Sequence, residues 1–232
     1  MAALAGGQQI LDLLSGTEDL LGQDFKFRPN WWTGRVDPSV SAWLHELPGD
    51  PGGRGYHRID RGRMLATGDG SAGWESRALL AGYVWGTGHL AFLVGRRART
   101  FRDTEPADLQ KRLESSVEAL AADGPTMAYR ALHRGPGSIK HLGPAFFTKF
   151  LYVADASRVD RPDGALIMDQ FVVKSLNALH GWSEPTYGWS PSRYPEWLAV
   201  ATEQAAIASD ELGRHVRRDE IELAYFRHGK SV

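Results

Sequence analysis

Apolar residues recur at helical spacing along much of the chain, and this pattern predicts a mainly α-helical protein. Residues 8–21 predict one broken helix or two short ones, because Gly16 interrupts the apolar pattern. The segments 74–85 and 89–101 carry two helical patterns separated by glycines, which predicts a helical hairpin. No convincing alternation of apolar and polar residues indicates a β-strand. The pattern therefore favours a helical bundle.

The rest of the chain extends this picture. We expect Thr104 to cap the most regular helix of the N-terminal half, while the glycine- and proline-rich stretch 24–73 predicts the least regular part. The expected architecture is a two-lobed helical bundle that forms a single domain over residues 1–232. Further helices are predicted from Pro125 to about His133, from Ser138 to Leu142, from Pro195 to Leu212 and around Asp219–Arg227.

Composition excludes several classes of protein. Hydrophobic residues make up 42% of the chain and charged residues 24%, as in ordinary globular proteins. The absence of cysteine excludes disulfides, thiolate nucleophiles and cysteine-bound zinc. The histidines show no metal-binding spacing, and the glycines at 86–88 lack the context of a nucleotide-binding loop, so we expect neither a metal nor a cofactor. With neither a signal peptide nor a long apolar run, we expect a cytoplasmic monomer with no membrane partner.

Charge is unevenly distributed along the chain. The formal net charge of −1 argues against a generally basic surface that coats nucleic acid. Residues 124–154 nevertheless contain no acidic residue, although average use of the 28 acids would place roughly four there. The same stretch contains Arg130, Arg134, Lys140 and Lys149. It predicts a locally positive face, with a chance distribution as the alternative.

Gly143-Pro144 predicts a tight turn between two helices, because proline suits the first position of a helix, where its missing N–H has no helical partner. Such a helix–hairpin–helix presents unpaired backbone N–H groups that can bind a DNA phosphate. The alternative is an ordinary corner in a helical core. The residues predicted to contact DNA are Lys140, His141, Leu142, Gly143, Pro144 and Ala145.

The segment around this turn resembles the helix-hairpin-helix DNA glycosylases, most closely the 8-oxoguanine DNA glycosylases. The resemblance rests on GPAFFTKFL at 143–151 and ALIMDQFVV at 165–173, and it covers residues 137–178, about a fifth of the chain. It implies an enzyme that flips a damaged or modified base, such as 8-oxoguanine, out of double-stranded DNA and excises it. Such an enzyme works in base excision repair, with or without a lyase activity at the resulting abasic site.

Two residues carry the chemistry that this resemblance implies. Asp169 corresponds to the catalytic aspartate that caps the helix after the hairpin, where it would stabilise positive charge on the sugar or activate the nucleophile. A plain N-cap is the alternative role. Lys149 is the candidate amine nucleophile, although the family places its lysine where this chain has Ala145, one helical turn earlier. Lys149 could instead be a pocket, phosphate-contacting or surface residue, and Lys140 is a second candidate for the nucleophile.

A flipped base needs aromatic side chains on which to stack. Trp182, Trp189 and Tyr194 are the candidates, because they lie in an irregular connector soon after the Asp169 helix. Three other functions stay open: a non-catalytic protein that binds DNA structures, a glycosylase that acts on phage-modified bases in defence, and a helical interaction module with no role at DNA.

Overall fold

The computed structural model describes residues 4–156 and 164–232 and has a mainly helical architecture, which confirms the predicted fold class. The division into two lobes, the helix-hairpin-helix motif and the single domain over 1–232 stay predictions. The helices are α1 (Gln8–Leu11), α2 (Thr17–Leu21), α3 (Asn30–Thr33), α4 (Pro38–Ser41), α5 (Arg61–Ala66), α6 (Trp74–Thr87), α7 (Ala91–Arg97), α8 (Arg99–Arg102), α9 (Pro106–Arg134), α10 (Pro144–Ala154), α11 (Gln170–His180), α12 (Arg193–Leu212) and α13 (Arg218–Gly229), with one 3-10 turn at Ala42–His45.

The irregular N-terminal part contains a small sheet that the sequence did not predict. Strands β1 (Asp24–Phe27) and β2 (His57–Asp60) pair antiparallel, with Phe25 opposite Ile59. Each strand is four residues long, which is too short for an alternating pattern to stand out from turn-rich sequence. The expectation of no strand was therefore wrong here.

Three helix boundaries also differ from expectation. Glu105, not Thr104, caps α9, and its carboxylate accepts a hydrogen bond from the Asp108 backbone N–H at 3.1 Å. The expected helix over 89–101 is divided into α7 and α8. The segment from Ser138 to Leu142 forms turns instead of a short helix, and His141 adopts a left-handed conformation with φ of 66°. The chain thus runs through a nine-residue connection, 135–143, from α9 to α10.

Helix α6 lies at the centre of the fold and is buried along nearly its whole length. It packs against α10, which also contacts α9, while α11 packs against α13 and α13 against α12. A helix that is apolar on all sides is expected in such a position. Helix α9 keeps one apolar face on the core and breaks at Gly124, whose φ of 79° and ψ of 178° are not helical, so that Pro125 starts its second segment as predicted.

Helices α11 and α13 approach each other unusually closely at Gly229, the last residue of α13. A Cβ atom at this position would overlap the carbonyl oxygen of Phe171 in the first turn of α11. The glycine therefore lets the backbone of α13 pack directly against the first turn of α11. In the described ranges, no helix combines the length and the apolar character needed to cross a membrane.

Candidate active site

A cavity of about 290 Å³ opens between the central helices and the start of α11. Five aromatic side chains line it, and they come from five different elements, β1, α6, α10, α11 and α13. Phe25 meets Trp85 edge to face at 5.1 Å between ring centroids, and Phe171 meets Phe226 in the same way at 5.3 Å. The lining aromatic residues are Phe25, Trp85, Phe146, Phe171 and Phe226.

Asp169 lies at the wall of this cavity and caps α11. Its Oδ1 atom accepts hydrogen bonds from the backbone N–H groups of Phe171 at 3.0 Å and Val172 at 3.3 Å. These bonds satisfy two of the donors that a helix N-terminus leaves free, and they hold the carboxylate in one orientation. The residue is only 8% exposed. Its second oxygen, Oδ2, is left for a different partner.

That partner is Lys149, which projects from α10 into the same cavity. Its Nζ atom donates to Asp169 Oδ2 at 3.3 Å and to the Ala145 carbonyl oxygen at 2.9 Å. Long side chains on a helix point back towards its N-terminus. The lysine therefore places its amine beside residue 145, one turn before its own Cα. The structure thus brings together the two residues proposed to be catalytic.

Two glycines of α6 make room for this lysine. A methyl group at Gly82 would lie 3.2 Å from the Lys149 Cβ, and one at Gly86 would lie 3.1 Å from its Cε and 3.0 Å from a Phe146 ring carbon. Ordinary carbon contacts are about 3.5–4.0 Å. The lysine side chain therefore lies along a glycine face of α6, with its amine 5.7 Å from the Trp85 ring centroid.

The surroundings of Lys149 make its ammonium easier to deprotonate than that of a surface lysine. The side chain is only 3% exposed, and burial lowers the pKa of its ammonium from the ordinary value of 10.5. The negative charges of Asp169 and Glu222 act against this shift, whereas the guanidinium of Arg97 acts with it. An amine that loses its proton more readily than a surface lysine is what nucleophilic chemistry requires.

A second buried ion pair lies close enough to affect the first. Arg61 and Glu222 are 0% and 1% exposed, and their charged groups are 2.5 Å apart. Burial raises the pKa of Glu222, and the charge of Asp169 raises it further, whereas Arg61 opposes the shift. Tyr152 stacks near the same guanidinium and donates to Asp219 at 2.8 Å. The pair Lys149–Asp169 thus rests on a buried, charge-balanced network.

The residues predicted to contact phosphate lie at and before the start of α10. Gly143 is the N-cap with no side-chain hydrogen bond, and Pro144 occupies the first helical position. Ala145 lines the cavity, Leu142 is buried, and Lys140 is exposed. His141 is exposed, with its Nε2 atom 3.1 Å from Asp103 Oδ2. Their contact with DNA stays a prediction.

The connector aromatics lie elsewhere. None of Trp182, Trp189 and Tyr194 lines the cavity of Lys149 and Asp169. The Tyr194 hydroxyl donates to the Leu166 carbonyl at 2.9 Å, the Trp189 indole donates to the Pro185 carbonyl at 2.8 Å, and both side chains are fully buried. Trp182 is covered by the guanidinium of Arg193 at 4.8 Å. Proximity in sequence to α11 is therefore a poor guide to the aromatics beside Asp169.

Several cavity residues were missed from the sequence, and they include two cations besides Lys149. Arg97 donates to the Gly86 carbonyl at 3.2 Å, and burial lowers its pKa to about 10. Lys230 lies beyond the end of α13. The glycines of α6 were the available signal, because closely spaced glycines in a helix indicate close approach of another element. Among the described residues, no group of three His, Asp or Glu side chains could hold a metal ion.

One family model matches most of the chain. Residues 18–226 match the model of a family described as "Putative 8-oxoguanine DNA glycosylase OGG-like protein". The match spans α10, α11, most of α13 and every cavity-lining residue except Lys230. Neither a curated protein nor a solved structure matches the chain.

Proposed function

The chain belongs to the family of 8-oxoguanine DNA glycosylase OGG-like proteins, and on this premise we propose that it excises a flipped base from double-stranded DNA at the Lys149–Asp169 pair. One observation carries the proposal. A buried lysine amine and a helix-capping carboxylate lie 3.3 Å apart in the wall of an aromatic cavity. Base excision with an amine nucleophile needs these two groups within reach of one sugar carbon.

The cavity suits a single base. Its volume of about 290 Å³ lies just below the ~300–1,000 Å³ typical of ligand pockets. Aromatic walls favour a flat ring system through stacking. Three cations line the cavity against one carboxylate, which suits a ligand that carries phosphate. The cationic residues are Arg97, Lys149 and Lys230, and the carboxylate is Asp169.

Asp169 supplies negative charge where positive charge develops. As the N-glycosidic bond breaks, the sugar takes on oxocarbenium character, and a fixed carboxylate stabilises it more than the ground state. The two backbone N–H groups bound to Oδ1 hold the carboxylate in place before the reaction begins. Its role as a cap and its role in catalysis are therefore compatible.

Lys149 supplies the nucleophile in this proposal. Its neutral amine forms a bond to the sugar carbon C1′, while the electron pair of the N-glycosidic bond leaves with the base, which takes up a proton. The amine then loses a proton, the C1′–O4′ bond opens as O4′ is protonated, and a Schiff base results. The Schiff base is the species from which strand cleavage proceeds. If Asp169 instead activates a water, the enzyme is monofunctional.

The start of α10 is the proposed phosphate contact. Gly143 leaves this helix end without a side-chain cap, and the helix is 11 residues long, so its dipole favours an anion. Lys140 is exposed just before it. Since Ala145 lines the cavity, a phosphate bound here would place the neighbouring nucleotide near Lys149.

The test is a panel of duplex oligonucleotides, each with one modified base, which includes 8-oxoguanine and bulky phage-type modifications. We expect excision of at least one base and a covalent adduct when borohydride is present. Lys149→Met should abolish the adduct, whereas Lys111→Met, an exposed lysine on α9, should leave it unchanged. Circular dichroism checks that both variants fold.

The outcomes separate the alternatives. Excision without an adduct removes the nucleophile role of Lys149 and leaves Asp169 with a water. Binding without any excision, unchanged in Asp169→Asn, indicates a DNA-structure binder. The absence of both excision and salt-dependent DNA affinity would refute the proposed function.

A further inference from the structure

Phe92, in the first turn of α7, is one of the most exposed large apolar side chains in the described part of the chain, at 78% exposure. Leu90, two residues earlier, is also exposed, at 37%, and it lines the mouth of the cavity. Single exposed apolar residues are ordinary, but a pair beside a binding cavity indicates a partner surface. We call Leu90 and Phe92 the apolar rim.

The charge around the apolar rim points to one class of partner. From Ser76 to Arg102, a stretch of 27 residues, the sequence contains no acidic residue and five arginines. Arg96, one turn from Phe92, is exposed, and none of the carboxylates in the described ranges pairs with it. Arg97 points into the cavity. A protruding apolar tip set among cations fits a nucleic acid, where phosphates surround a stack of apolar bases.

We propose that Phe92, supported by Leu90, inserts into the DNA base stack at the site from which the target base has been extruded. The inference rests on the proposed function. Extrusion leaves a gap in the stack, and an apolar side chain that fills it offsets the lost stacking. Leu90 connects the cavity mouth to Phe92, so the base that enters the cavity and the gap that it leaves are adjacent.

In this role Phe92 acts on the duplex and not on the chemical step. Single-stranded DNA has no base-paired stack, so base excision from it should not need the Phe92 side chain. Stacking of an aromatic residue on a base is worth about 1–3 kcal/mol, which corresponds to about 5- to 160-fold in an equilibrium constant. We therefore expect Phe92→Ala to reduce single-turnover excision from duplex DNA about 10- to 100-fold.

The experiment compares Phe92→Ala with Tyr187→Ala on the best duplex substrate and on the same strand alone. Tyr187 is the matched control, because it is 80% exposed and does not line the cavity. We expect loss on the duplex only in Phe92→Ala, no change on the single strand, and recovery in Phe92→Trp. Because Phe92 is exposed, the variants should fold normally.

A second readout does not depend on catalysis. In Lys149→Met, binding to a duplex with 2-aminopurine next to the lesion should raise the fluorescence, and adding Phe92→Ala should remove that rise. Full activity of Phe92→Ala on the duplex, or equal losses on duplex and single strand, would overturn the insertion and leave the proposed function standing. If Phe92→Ala excises the base normally but no longer binds a protein or a lipid vesicle that the wild type binds, the insertion is overturned and the apolar rim is the contact for that partner. A wild-type protein that excises nothing and gives no fluorescence change would instead overturn the proposed function.

Discussion

Gly86 offers a direct test of the site, because a single methyl group there would press on the reactive lysine. The added carbon would lie 3.1 Å from the Lys149 Cε and 3.0 Å from a Phe146 ring carbon. To regain an ordinary separation of about 3.5–4.0 Å, the lysine tip must move by several tenths of an ångström or more. Gly86→Ala should therefore displace the amine from Asp169.

Two opposing effects set the expected magnitude on stability. Alanine in place of glycine inside a helix stabilises by up to about 1 kcal/mol. Overpacking typically costs about 1–3 kcal/mol. The net loss in the free energy of unfolding should thus be about 0–3 kcal/mol, which a folded protein tolerates. Activity should fall further, since a 1 Å misplacement of a reacting group can cost about 100-fold.

The assay is single-turnover excision together with borohydride trapping and a urea titration. Gly95→Ala in α7 is the matched control, because it makes the same helical change where the added methyl group would meet nothing within 4 Å outside the local helix backbone. We expect a 10- to 100-fold loss in Gly86→Ala and none in Gly95→Ala. Full activity in Gly86→Ala, or equal losses in both variants, would refute the reasoning.

Three further predictions follow from the same structure. Asp169→Asn should retain the helix cap and the fold but lose about 100-fold or more in excision. Burial lowers the pKa of Lys149 below 10.5, so adduct formation by the wild-type protein should rise with pH. Because the charge of Asp169 opposes this shift, the midpoint of the pH profile should move to lower pH in Asp169→Asn. Glu222→Gln should lower the free energy of unfolding by about 3–5 kcal/mol in a urea titration, because it leaves Arg61 buried without its partner. Glu196→Gln breaks an exposed pair with Arg193 and should lower it by at most about 1 kcal/mol. Equal losses in the two variants would contradict this account. Gly229→Ala should lower the melting temperature, because its methyl group would overlap the Phe171 carbonyl; an unchanged melting temperature would show that α11 and α13 can separate without cost.

The parts of the site that local chemistry determines were predictable from the sequence. An aspartate directly before an apolar helical run predicted the cap at Asp169, and the structure has it. Pro144 after Gly143 predicted the start of α10, also correctly. These features depend on neighbouring residues alone, so no knowledge of the tertiary structure is needed.

The cavity walls could not be predicted in the same way. Trp85 contributes because its indole N–H binds the Gln23 carbonyl, 62 residues away, and Phe25 meets it from a strand of four residues. The position of Tyr194 soon after α11 in the sequence predicted a place in the base pocket, but its hydroxyl donates to the Leu166 carbonyl inside the core. Contacts between residues far apart in the sequence decide which aromatic side chains face the cavity, and a single sequence does not reveal those contacts.

The side chain of Lys149 runs back along α10, so its amine lies one helical turn before its Cα. A lysine at 149 can place its amine beside residue 145, because the glycines of α6 leave space for its side chain. We therefore expect a chain that has a lysine at 149 to keep small residues at positions 82 and 86.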